Sequence, residues 1–323
     1  MDKTNIDEVA RAIVALGVWK RASKYNWALV SEMFERPLIA AVDCPAQGAV
    51  AGRLLLFNGF EAYRDFRIFQ ANRDVTFAMS PADIDHLEII GLKDGTSQVL
   101  DFRPGFVPAA PDPELRSLLA PVAYECYGLL LRMEDEPELA LAYKSRNALF
   151  SRREGLDGRW TDAPLALPPE SALTWVEKVA FDKNKCARAA RFDLATEEVW
   201  EADFVPMPLY HTEEAKSRMM FLFAAVDSRT GERRVWRKLA VDPASPRDGS
   251  LNSLKALWES LASQLLEGVL AFGKVPGAIH VNSGRMARFL RPLGLQLPFK
   301  LVHHRMLPRL VTVLNRAIAE RAV

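Results

Sequence analysis

RMMFLFAAVDSRTGE (218–232) is the stretch on which the fold turns. Met219 to Val226 is an unbroken apolar run. It has the length of a strand buried on both faces and falls far short of a membrane span. DSRTG then reads as a turn, in which Asp227 can accept from the backbone N–H groups that follow it. A second strand follows the turn. Beyond it Leu254, Leu257, Trp258, Leu261, Leu265 and Val269 form one apolar stripe of a long helix. Ser250 is placed to cap that helix, and Gly273 and Pro276 to stop it. GAIHV (277–281) reads as a short strand. The next helix turns Met286, Phe289 and Leu290 inward and its arginines outward. LQLPFKLVH (295–303) reads as a strand, and Leu310, Leu314, Ala317 and Ile318 lie in register on a last helix. Strand, helix, strand, helix, strand implies parallel pairing through right-handed crossovers, an α/β sheet with helices packed on it.

Upstream, Ile6, Val9, Ile13 and Leu16 recur at helical spacing, and Trp27, Val30 and Phe34 predict a second helix over 24–35 that Pro37 ends. LIAAVDC (38–44) and VAGRLLLF (50–57) read as strands joined by PAQG. Residues 63–70 fit strand or helix. HLEIIGL and SQVLDF flank the hairpin turn KDGT. Leu115 to Met133 reads as a helix containing Pro121, and a further helix fits 136–147. LFSRREGLDGRWTD reads as a hairpin, and the proline-rich APLALPPES (163–171) as a linker. WVEKVAF, ARAARFDL and EEVWEADFV read as strands. The fold class is therefore α/β: an α+β N-terminal domain over 1–163 and a three-layer C-terminal domain over 172–323, a mixed sheet with flanking helices.

With 323 residues, 49% apolar and 26% charged, the chain has the composition of a folded protein of two domains. No apolar stretch reaches membrane-span length, so no membrane is expected. The N-terminus lacks the pattern of a secretory signal, and three widely spaced cysteines fit reduced thiols in a cytoplasm. The net charge of +1 hides an asymmetry. Residues 1–200 carry 24 Lys/Arg against 30 Asp/Glu, whereas residues 201–323 carry 18 against 11. From Arg285 onward the only acid is Glu320. A basic end of this kind attracts phosphates, or docks on the acidic first part.

TEEVWEADFVPMPLY, RMMFLFAAVDSRTGE and KVPGAIHVNSGRMARFLRPLGLQL together resemble an uncharacterised family of bacterial two-domain proteins, and LIAAVDCPAQG and FRPGFVPAAPDPELRSLL resemble its N-terminal half. The resemblance brings no activity with it. The element order of the last third is similar to that of ribonuclease H folds. In the integrase-like branch of that fold, acids end the first strand and the strand after the long helix, and a third lies on the final helix. Those places read here as Asp227, Asn282 and Glu320. Asn is neutral and a poor ligand for Mg²⁺. Asp227 is thus the catalytic candidate, with Glu232 or Asp242 as co-ligands, and a turn cap otherwise.

Asn282 and Ser283 open a helix at a strand end, where free N–H groups can receive an anion or simply be capped. Arg285, Arg288, Lys300, Arg305 and Arg309 are the expected phosphate contacts if nucleic acid binds. His303 and His304 point to opposite faces of a strand, and His86, His211 and His280 stand isolated. No zinc spacing, nucleotide-binding loop or nucleophile elbow is present. The expectation is a non-catalytic binding module without a cofactor, its partner a nucleic acid or another protein. A divergent nuclease using Asp227, with Mg²⁺ as cofactor, and a protein–protein module or homodimer are the alternatives.

Overall fold

Strands Asn26–Val30 (β1), Leu38–Asp43 (β2), Val50–Asn58 (β3), His86–Leu92 (β4), Ser97–Phe102 (β5), Ala148–Glu154 (β6) and Trp160–Ala166 (β7) form one sheet in the order β5-β4-β3-β2-β1-β6-β7. The computed structural model from which this is read describes residues 2–23, 26–45, 47–71, 84–136, 148–168, 179–211, 218–242 and 252–320. All neighbours in this sheet run antiparallel except β1 and β6. Helices Ile6–Leu16 (α1), Trp19–Ala22 (α2) and Pro113–Asp135 (α4) cover the face carrying Trp27, Leu29, Leu54 and Leu56. Helix Gly59–Ala71 (α3) covers the face carrying Ala28, Ile39, Leu55 and Phe57.

Local chemistry sets several of these boundaries. Asn5 caps α1 by accepting from the N–H groups of Asp7 and Glu8, and Gly17 ends it at φ 62°. Pro121 is carried inside α4, between the buried Ala120 and Val122. The helix expected over 24–35 is instead strand β1. Trp27, Ala28 and Leu29 are all buried because β1 lies between β2 and β6 with both faces covered. Its apolar spacing was therefore continuous burial rather than one helical face. Residues 63–70 are helical. The helix expected over 136–147 falls almost wholly outside the described residues, as does the second half of the 163–171 linker, whose first half belongs to β7.

The second sheet contains Leu194–His211 (β8), Arg218–Asp227 (β9), Arg233–Ala240 (β10), Val275–Val281 (β11) and Lys300–His303 (β12), in the order β10-β9-β8-β11-β12. β8, β11 and β12 are parallel, and β9 and β10 antiparallel to their neighbours. Helices Lys183–Ala189 (α5), Asn252–Phe272 (α6) and Gly284–Gly294 (α7) pack on the face of Trp200, Ala202 and Phe204. Helix Pro308–Ala319 (α8) packs on the other face, where Leu307 and Leu310 meet Leu222, Ala224 and Val226. ARAARFDL is not a strand: its first part closes α5, which Asp182 caps. Ser250 and most of WVEKVAF lie outside the described residues. The last strand is shorter than LQLPFKLVH suggested.

The two sheets are joined after β5. Gly105 O accepts from Met219 N at 2.9 Å, and Phe106 is buried in the core of the second sheet. Gly105 has φ +82°, and a Cβ there would lie 2.4 Å from Val241 Cγ1, so glycine is required twice over. Among the described residues, no helix is long and apolar enough to cross a membrane. Cys126 is fully buried, and burial pushes its thiol up to about 12, as befits a packing residue.

Candidate functional site

β8 is the central strand of the second sheet, and its residues alternate between the two faces. Trp200, Ala202 and Phe204 enter the main core, so Glu201 and Asp203 point to the α8 side. Parallel pairing sets Glu201 beside His280 of β11, and carries Asp203 level with Asn282 just past that strand. On β12, Val302 pairs with His280, which puts His304 in the row of Asn282. The result is a polar shelf at the carboxyl ends of β11 and β12, beside the middle of β8. Ligands of open α/β sheets gather at such ends.

The shelf grades from buried to exposed. Glu201 is 5% exposed and accepts from Leu310 N, at the start of α8, at 2.8 Å. Asp203 is 7% exposed; it accepts from Phe204 N at 2.8 Å and from Asn282 Nδ2 at 2.7 Å. Burial raises the Asp203 carboxyl to about 6, against the pull of those two donors. The Asn282 Oδ1 is buried and has no hydrogen-bond partner among the described residues. Asn282 O is met by His303 Nε2 at 3.0 Å. Farther out, the His280 and His304 rings stack with centroids 4.2 Å apart and planes at 25°. Burial, and then His304, lower the His280 pKa, which favours the neutral imidazole.

A carboxyl whose pKa the fold raises binds its proton more tightly in the native than in the unfolded chain. The stability this brings is complete below about pH 4 and is lost as pH rises through about 6, an effect of roughly 3 kcal/mol. Asp203→Asn removes the titration and keeps a backbone acceptor. Urea unfolding should find it about 2 kcal/mol more stable than the parent at about pH 8 and equal to it at about pH 4. A loss of stability at both pH values would refute the assignment.

Helix α7 begins above the shelf. Ser283 caps it by accepting from Met286 N at 3.0 Å. Arg285 does not point outward with its helix neighbours. It is 3% exposed, and its guanidinium lies 4.5 Å from the centroid of the buried Trp258 ring. Arg288, Lys300 and Arg305 are exposed. Arg309 is engaged: its guanidinium donates to Ser228 O at 3.4 Å and to Arg229 O at 2.7 Å, tying α8 to the turn after β9.

That turn holds Asp227. Its Oδ1 accepts from Arg229 N, Thr230 N and Thr230 Oγ1. Burial works to raise its carboxyl, but these donors and Glu198 outweigh it and hold the pKa at about 2. Asp227 pairs with Trp200 across β8–β9 and shares its face, opposite to that of Asp203. Three residues of β8 also separate the two places, about 10 Å. Asp227 and Asn282 therefore do not converge. The reason is that β8, not β9, is the first and central strand of the sheet. Glu232 is exposed and paired with Arg234 at 3.0 Å, and Asp242 follows the other end of the eight-residue β10. Glu320 is exposed beyond α8. Among the described residues, no group of three or more His, Cys, Asp or Glu side chains is arranged to hold a metal ion.

Asp203 and Glu201 were missed because WEADF reads as an ordinary strand. The available signal was two acids at alternate positions between the apolar Trp200, Ala202 and Phe204. The shelf lies wholly within residues 187–316. Those residues match the family model described as a domain of unknown function, DUF6930. No curated protein matches the chain. The DUF6930 match runs from the end of α5 into α8, so it takes in every strand of the second sheet and both turns discussed above.

Proposed function

We propose that this chain is a non-catalytic binding protein of the bacterial cytoplasm, with an α+β domain over 1–163 and a ribonuclease H-like domain over 172–323 that contacts nucleic acid. The ribonuclease H-like reading is supported by the strand order: counted from β8, the sheet runs 3-2-1-4-5 with its second strand antiparallel. The observation that carries the non-catalytic reading is the Asn282–Asp203 hydrogen bond. Two-metal phosphoryl chemistry needs several carboxylates converging on cations roughly 3.5–4 Å apart. Here the strand neighbour of Asp203 supplies an amide that donates to it, and Glu201 is held by the α8 backbone. The nucleic-acid reading is supported by exposed Arg288, Lys300 and Arg305 around the outer strand β12, in a stretch without an acid from Lys274 to Ala319.

The test is fluorescence anisotropy with labelled single-stranded DNA, duplex DNA and RNA, with Mg²⁺ present and the probes checked for cleavage afterwards. Binding that weakens steeply with salt and leaves the probes intact is the expected result. Cleavage abolished by Asp203→Asn or Asp227→Asn would overturn the non-catalytic reading. Failure of every probe to bind would overturn the nucleic-acid reading, and a mass that then rises with concentration would point to self-association instead.

A further inference from the structure

Helix α8 covers the β8–β9 half of its sheet face, and among the described residues no helix packs on the β11–β12 half. Ala278, His280 and Val302 are half-buried there, and Lys300 and His304 exposed. Two features of this open half point to one kind of ligand. The exposed His304 ring stacks on the half-buried His280 ring, centroids 4.2 Å apart and planes at 25°. It is thus a flat aromatic surface whose position is fixed by β11. Lys300 lies on the same face of β12, four residues or about 13 Å along the strand, and Arg305 follows His304 directly. Asp203 and Glu201, on the neighbouring strand β8, are buried, and their oxygens are engaged by Asn282 and by the Leu310 N–H.

Resting on the nucleic-acid reading above, we propose that the open β11–β12 face binds a single-stranded segment, one base stacking on His304 and the flanking phosphates meeting Lys300 and Arg305. A base must be unpaired and unstacked to lie on a side chain of a sheet face, which a duplex does not offer. Aromatic stacking with cations along the backbone path is the general chemistry of single-strand binding. Burial, and then His304, lower the His280 pKa and so favour its neutral form in the stack.

The test compares a labelled oligothymidine of about 15 nucleotides with a duplex of the same length, on the full chain and three variants. The single strand should bind more tightly than the duplex. His304→Ala should weaken it about tenfold, His304→Phe should restore it, and Lys300→Glu should weaken binding and flatten its salt dependence. His304 and Lys300 are exposed, so the variants should keep the parental circular dichroism and melting point. Equal or tighter duplex binding, or an unchanged affinity in His304→Ala, would overturn this inference and leave the nucleic-acid reading standing. Failure of the parent to bind either probe would remove both.

Discussion

Replacing Asn282 with aspartate is expected to cost the chain about 2–4 kcal/mol at neutral pH and little at about pH 4.5. The amide donates to Asp203 Oδ2 at 2.7 Å, so the new carboxylate would stand against a carboxylate that burial already disfavours. Two such groups cannot both ionise without repulsion. At acid pH they share a proton and the donor is restored, as in any close carboxyl pair. Urea unfolding over this pH range measures the effect. A loss that is the same at both ends would mean that shape, and not charge, was disturbed. The result bears on function, since it measures how far the shelf is from tolerating the paired carboxylates that metal chemistry requires.

Trp258→Ala should be the most damaging single change in the second sheet's core, at about 5 kcal/mol. The ring is 3% exposed and lies against Phe204 at 4.9 Å and Phe289 at 5.4 Å, so its removal leaves a large void between α6, β8 and α7. It also takes away the surface on which the buried Arg285 guanidinium rests. A buried cation without its neighbour is costly beyond the lost volume. Because total stabilities run to only about 5–15 kcal/mol, much of the second sheet's cooperativity should go with this residue. Trp258→Phe, which keeps a ring under Arg285, should recover more than half of the loss in the same denaturation experiment. A loss below about 2 kcal/mol in the alanine variant would show that the core closes over the gap.

Elements whose signal is local were legible in the sequence. The stripe from Leu254 to Val269 gives α6, and the hairpins around KDGT and GLDG appear as β4–β5 and β6–β7. Strand β1 was misread because a central strand loses the alternation that identifies a strand. The orientation of Arg285 was misread for a related reason. Its charge suggests solvent, but the first turn of α7 faces Trp258, and a guanidinium can lie on an aromatic ring where an ammonium would demand water.

The sequence by itself determined the α/β class, most strands and helices, the basic end and the turn at Asp227, because each is encoded within a dozen neighbouring residues. The tertiary structure alone decided the shelf. Asp203 and Asn282 are 79 residues apart, and His280 and His304 belong to different strands. Only the parallel register of β8, β11 and β12 sets them side by side. Register depends on which apolar faces are buried together across the whole sheet, so one slip would send every one of these side chains to the opposite face.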